Sequence, residues 1–173
     1  RTPDIKSKLA VKAQGTIAIF TNDGAGNFTR SIAVGGSSPH AICTADFDGD
    51  GDMDLAVTNT TASLITIKMN DGSGSFSGGT TVGIASNAQS VQAVDFNGDG
   101  HVDLAAANIS SNSVSVRFND GLGNFSGSTE VAVGNQPFGL YAGDIDGDGD
   151  MDLVTANQQS NNLSIRLNSG NGS

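Results

Sequence analysis

A ten-residue acidic stretch occurs three times, and its spacing limits what this chain can fold into. It reads Asp-Phe-Asp-Gly-Asp-Gly-Asp-Met-Asp-Leu at 46–55, Asp-Phe-Asn-Gly-Asp-Gly-His-Val-Asp-Leu at 95–104 and Asp-Ile-Asp-Gly-Asp-Gly-Asp-Met-Asp-Leu at 144–153. Successive copies start 49 residues apart. A second marker keeps nearly the same period. It is Asn22-Asp23-Gly24-Ala25-Gly26-Asn27-Phe28, then Asn70-Asp71-Gly72-Ser73-Gly74-Ser75-Phe76, then Asn119-Asp120-Gly121-Leu122-Gly123-Asn124-Phe125, with a partial copy from Asn168. Self-similarity at such a period means an array of equal supersecondary units, each burying its apolar face against the next.

Between the markers the chain reads as strands. Ile65, Ile67 and Met69 alternate with polar residues, as do Val114, Val116 and Phe118, and Leu163, Ile165 and Leu167. Period two means one buried face per strand. Lys68, Arg117 and Arg166 fall on the other face. Asn-Asp-Gly after such a run is a turn signal, because Asn and Gly tolerate positive φ. Each unit then holds four short strands, about 39–46, 54–59, 63–70 and 76–84 in the first complete copy. The acidic stretch is the first turn and Asn-Asp-Gly the third. No 3.6-residue apolar period argues for helices. The expected fold is all-β, made of four-stranded antiparallel β-propeller blades of about 49 residues, roughly 3.5 of them present. Expected boundaries are 1–37, an incomplete blade whose segment at Asp4 keeps one carboxylate and no metal loop; 38–86 and 87–135, complete blades; and 136–173, an incomplete blade with a loop. Leu9-Ala10-Val11 aligns with Leu55-Ala56-Val57, which places the chain's start near a second strand. Incomplete end blades leave three expectations: a fragment of a longer propeller, closure with another copy, or strand donation between neighbours.

Thirteen of the chain's 18 acidic residues lie in the three loops. Two like charges about 4 Å apart repel by roughly 4 kcal/mol near a protein surface. A cation relieves that repulsion. Side-chain oxygens stand at loop positions 1, 3, 5 and 9: Asp46, Asp48, Asp50 and Asp54; Asp95, Asn97, Asp99 and Asp103; Asp144, Asp146, Asp148 and Asp152. Gly51, Gly100 and Gly149 at position 6 allow the sharp bend. Position 7 (Asp52, His101, Asp150) is expected to offer its carbonyl. Hard oxygen ligands in this order point to Ca²⁺, at about three sites. An EF-hand is excluded, since position 12 is Val57, Ala106 or Thr155 rather than Glu, and the flanks read as strands. The second loop has two fewer acidic residues and is expected to bind more weakly. The expected metal role is structural, fixing the first turn of each blade.

The pattern Asp-x-Asp-Gly-Asp-Gly-x-x-Asp-Leu, followed by a strand and by Asn-Asp-Gly-x-Gly-x-Phe, resembles the FG-GAP/VCBS repeat family. The resemblance runs from Leu9 to Asn171. It implies the calcium-binding blades of integrin α-subunit-type propellers and of related secreted proteins. Members of that family are usually seven-bladed, so about half a propeller would be present. The resemblance also implies adhesion, with a glycan or extracellular protein as partner, and in some members attachment to an enzyme domain.

Composition excludes other classes. The formal net charge is −10, of which three Ca²⁺ would offset most, leaving about −4. Only 8 residues are Lys or Arg, so no basic stripe exists for nucleic acid or an anionic membrane surface. No apolar run is long enough for membrane insertion as a helix. The single Cys43 excludes an intrachain disulfide. The chain starts at Arg1 without Met, which fits a processed or partly represented protein. Calcium loops of this kind stay loaded where calcium is about millimolar, so an extracellular setting is expected. His40 and His101 are the only histidines, and neither sits in a nucleophile motif. No enzymatic activity is expected of these residues. His40, Gln89 and Phe138, with Cys43, Gln92 and Tyr141, vary between copies and mark a candidate ligand surface. Glycosylation sequons fall at Asn27, Asn59, Asn108, Asn124, Asn162 and Asn171. The functional expectation is an extracellular, calcium-stabilised propeller module with a structural or adhesive role, binding a glycan, a protein or another copy of itself. The alternative is the non-catalytic propeller portion of a larger secreted hydrolase or lyase.

Overall fold

Alternating apolar residues and Asn/Gly turns produce strands alone. The computed structural model describes residues 8–9, 15–34 and 36–172, and among these there is no helix. The strands are β1 Lys8–Leu9, β2 Thr16–Asn22, β3 Phe28–Val34, β4 Pro39–Ala45, β5 Asp54–Asn59, β6 Leu64–Asn70, β7 Phe76–Ser77, β8 Thr81–Gly83, β9 Ala88–Val94, β10 Asp103–Asn108, β11 Ser113–Asn119, β12 Phe125–Ala132, β13 Pro137–Gly143, β14 Asp152–Asn157 and β15 Asn162–Arg166. They form four antiparallel meanders: β1-β2-β3; β4-β5-β6 with β7 and β8 both on β6; β9-β10-β11-β12; and β13-β14-β15. The expected strands are therefore present within a residue or two. The fourth strand of the second sheet is split, with Gly78 and Gly79 at positive φ between its halves. Residues 10–14 fall outside the described residues, so the alignment of Ala10 and Val11 has no structural counterpart here. The same is true of Asp4.

Turn chemistry sets the register. Asn and Phe of the second marker close each third turn as paired residues: Asn22 with Phe28, Asn70 with Phe76, Asn119 with Phe125. Inside it the Asp amide donates to the carbonyl four residues on, from Asp23 to Asn27, Asp71 to Ser75 and Asp120 to Asn124. Two other turns carry non-glycine residues at positive φ in every copy. Ser38, Asn87 and Gln136 precede the first strand of a sheet, and Ser63, Asn112 and Asn161 precede or open the third. These six positions also keep the 49-residue period.

The core lies between successive sheets. Ile17 and Ile19 of β2 pack on Leu55 and Val57 of β5. Ala56, Ile65 and Ile67 of the second sheet pack on Val91, Leu104 and Ala106 of the third. Ala105, Val114 and Val116 of the third pack on Leu140, Ala142 and Leu153 in and around the fourth. Alternate residues of one strand thus face opposite neighbours, as in a propeller. Each fully buried Ile or Val contributes about 1.5–3 kcal/mol. The strands β4, β9 and β13 run next to one another along one side of the array.

One expectation needs correction. The face carrying Leu163, Ile165 and Leu167 is exposed, at 67%, 50% and 56%. The matching Ile65, Ile67, Val114 and Val116 are buried because the following sheet covers them. No described strand covers the fourth sheet on that side.

Candidate metal centre

Each acidic stretch joins the first two strands of a sheet, β4–β5, β9–β10 and β13–β14. Its backbone wraps around its own carboxylates. Asp46 Oδ1 accepts from Gly49 N at 2.8 Å and Oδ2 from Gly51 N at 2.9 Å. Asp95 accepts from Gly98 N and Gly100 N, both at 2.8 Å. Asp144 accepts from Gly147 N at 2.7 Å and Gly149 N at 3.1 Å. Positions 3 and 5 each accept the amide two residues on: Asp48 from Asp50 N, Asp50 from Asp52 N, Asn97 from Asp99 N, Asp99 from His101 N, Asp146 from Asp148 N and Asp148 from Asp150 N. Such bonds wind the loop so that successive side chains converge.

Position 9 has a different setting. Asp54, Asp103 and Asp152 are 0%, 0% and 1% exposed. Each ties the acidic loop to the third turn of its own sheet. Asp54 Oδ2 accepts from Phe47 N at 3.0 Å and Oδ1 from Asn70 N at 2.8 Å. Asp103 takes Phe96 N and Asn119 N, both at 2.9 Å. Asp152 takes Ile145 N at 2.9 Å and Asn168 N at 2.8 Å. Desolvation pushes the Asp54 and Asp103 carboxyls up from the ordinary value of 3.8, although backbone amides oppose it. A neighbouring cation would pull them back toward ionisation.

Carboxylate oxygens within 4.8 Å of one another come together in two loops, as Asp46–Asp48–Asp50 and Asp144–Asp146–Asp152. Oxygens bound to one Ca²⁺ at about 2.3–2.6 Å lie no more than about 5 Å apart, so these two donor sets fit that ion. In the middle loop the Asn97 amide donates Nδ2 to Asp99 Oδ2 at 2.9 Å, so one partner of that carboxylate is an uncharged donor rather than a second acid. Position 7 side chains lie against a turn glycine. Asp52 abuts Gly72, His101 abuts Gly121 and Asp150 abuts Gly170, all at positive φ and with no room for a Cβ. They point toward the third turn of their own sheet, which leaves their carbonyls for the loop.

Several residues with structural roles were not singled out from sequence. The carboxamides of Asn70, Asn119 and Asn168, read only as turn formers, reach the acidic loops. Their signal was a constant distance of 16 residues from Asp54, Asp103 and Asp152. Asn59 and Asn108 are wholly buried and Asn157 nearly so. Asn59 Nδ2 donates to Val57 O and Thr66 Oγ1, and Asn108 Nδ2 to Ala106 O and Ser115 Oγ. Two of the six sequons, at Asn59 and Asn108, are therefore buried. His40 and Phe138 meet edge to face at 6.4 Å, while Tyr141 is 61% exposed.

The FG-GAP-like repeat family model matches residues 9–57, 46–106 and 95–155. The chain belongs to the FG-GAP-like repeat family. The second and third matches run from the acidic loop of one sheet into the second strand of the next, so the FG-GAP-like sequence unit straddles two sheets. No curated protein matches the chain. Among solved structures, BBS1N in complex with ARL6DN superposes with a TM-score of 0.62 at 17% identity, over 92% of this chain and 42% of that one. This FG-GAP-like chain therefore spans less than half the length of that structure. The Vibrio cholerae biofilm matrix protein Bap1 aligns at TM-score 0.46 and 21% identity, over 88% of this chain and 26% of that one. The fold is that of propeller blades, in agreement with the four meanders.

Proposed function

We propose that this chain is a calcium-stabilised propeller module with a structural or adhesive role outside the cell, and not an enzyme. The observation that carries the metal assignment is the convergence of Asp46–Asp48–Asp50 and of Asp144–Asp146–Asp152 on loops of one geometry. The first loop would hold Ca²⁺ through Asp46, Asp48, Asp50 and Asp54 with the Asp52 carbonyl. The third would use Asp144, Asp146, Asp148 and Asp152 with the Asp150 carbonyl. The middle loop would use Asp95, Asn97, Asp99 and Asp103 with the His101 carbonyl, more weakly. The ion supplies charge neutralisation. The chain's residues bend the loop, hold the carboxylates together and connect them to the strands.

We place the module outside the cell because calcium sites of extracellular modules in general work at about 0.1–1 mM calcium. For the ligand, we favour a protein. BBS1N was solved in complex with ARL6DN, a precedent for a protein partner on this fold. The exposed face of β15 and the varied first-strand positions (His40, Gln89, Phe138, Tyr141) are the candidate surfaces.

Calcium titration by calorimetry on chelator-stripped protein, with thermal melts, tests the metal assignment. Saturable binding that raises the melting temperature is expected, since a ligand of the native state stabilises it by mass action. Unchanged melting at millimolar calcium would remove the assignment.

A further inference from the structure

The three acidic loops do not sit alone. The carboxamide of Asn119 holds two of them at once. Its Nδ2 donates to Phe47 O, position 2 of the first loop, at 2.9 Å, and to Val102 O, position 8 of the second, at 3.1 Å. Its Oδ1 accepts from Gly121 N at 3.2 Å, which fixes the amide's orientation. Asn168 repeats the arrangement one sheet further along. Its Nδ2 donates to Phe96 O of the second loop at 2.7 Å and to Met151 O of the third at 3.3 Å, and its Oδ1 accepts from Gly172 N at 2.9 Å. The two bridges join all three loops in a row.

Both ends of each bridge lie one bond from a candidate ligand. Phe47 N donates to Asp54 and Phe96 N to Asp103, so the peptide units flanking these phenylalanines link the bridge to position 9. Val102 and Met151 immediately precede Asp103 and Asp152. Phe47 is 1% exposed, and its ring meets Phe125 of the next sheet edge to face at 5.5 Å. Asn119 is 3% exposed. A buried amide that satisfies two carbonyls from two loops cannot follow one of them without disturbing the other.

Resting on the calcium reading above, we propose that Asn119 and Asn168 are positioning residues that couple calcium binding between neighbouring loops, so that filling one raises the affinity of the next. Ordering the first loop around an ion fixes Phe47 O, which fixes the Asn119 carboxamide, which holds Val102 and hence Asp103 in the second. The second ion then binds a loop already ordered. The middle loop, with two fewer acidic residues and both bridges on it, gains most from its neighbours.

The test is a double-mutant cycle read at each loop separately. Amide resonances of Gly51, Gly100 and Gly149 in glycine-labelled protein report the three loops during a calcium titration. Asp50→Ala disables the first loop. It is expected to weaken binding at Gly100 by about fivefold or more, the lower end of ordinary coupling, and to have no such effect when Asn119→Ala is also present. Equal weakening in both backgrounds, or none in either, overturns the coupling. If Asn119→Ala does not fold, the same cycle is run from the other side with Asp148→Ala and Asn168→Ala, again reading Gly100. If Gly51 and Gly149 titrate while Gly100 does not, the bridges transmit nothing and the proposal fails. If none of the three titrates, the calcium reading itself fails.

Discussion

Asp54, Asp103 and Asp152 show how one side chain serves fold and site together. Each accepts two backbone amides from segments 7 and 16 residues away, and each is wrapped by strands. For Asp54 and Asp103 the folded-state pKa is raised by desolvation. Their share of stability in calcium-free protein is therefore full below the unfolded value of 3.8 and is lost as pH rises through the folded value. Asp71 and Asp120 behave oppositely. Hydrogen bonds from the Ser73 hydroxyl and the Asn124 amide, respectively, are the largest of the effects holding them below 3.8. Their share is present above 3.8 and lost as pH falls through the folded value. A carboxyl NMR titration in chelator should place Asp54 and Asp103 above 3.8 and Asp71 and Asp120 below it, and calcium should lower the first pair. The asparagines make a second prediction. Expressed in a host that glycosylates Asn, the folded protein should carry no glycan at Asn59 or Asn108, whose amides are buried in hydrogen bonds. Glycopeptide mass spectrometry decides it, and occupancy at either site would mean the buried network is absent.

At the scale of elements, the acidic loop and the third turn act as one unit. They are tied within a sheet by Asp54 to Asn70, Asp103 to Asn119 and Asp152 to Asn168, and between sheets by Asn119 to Phe47 and Asn168 to Phe96. The loop was legible from its carboxylate spacing and the turn from Asn-Asp-Gly. Their connection was not, because it crosses 72 residues of sequence between sheets. Phe47 is where the connection is most concentrated. Its ring is buried between the second and third sheets. Phe47→Ala should cost about 3–5 kcal/mol in urea unfolding. A loss below about 1 kcal/mol would show that the loop does not anchor the neighbouring sheet.

For the whole molecule, position in the array decides what a repeated residue is worth. Ile67 and Ile165 occupy the same place in their repeats, yet one is 0% and the other 50% exposed. In this 173-residue chain, Ile67→Ala should cost about 2–5 kcal/mol. Ile165→Ala should stay within about 0.5 kcal/mol, as exposed substitutions do. Matched denaturant melts give the comparison. Equal costs would mean that the fourth sheet's face is covered in solution. Metal removal belongs at this scale too. Asp50→Ala and Asp148→Ala should each lower the melting temperature in calcium and make little difference in chelator, because each removes one ion's binding energy from a fold stable by only about 5–15 kcal/mol.

The sequence by itself determined the strands, the period and the loop chemistry. These are local matters: two-residue alternation places apolar side chains on one face, Asn and Gly set the turns, and alternating oxygens in a glycine-bent loop make a donor set that could hold a cation. Sequence symmetry, however, assigns equal roles to equal positions. Only the tertiary structure separated Ile165 from Ile67, buried Asn59 and Asn108 at the ends of β5 and β10, and placed Asn119 across two loops. Those outcomes depend on which sheet stands next to which, and burial is a property of the neighbour as much as of the residue.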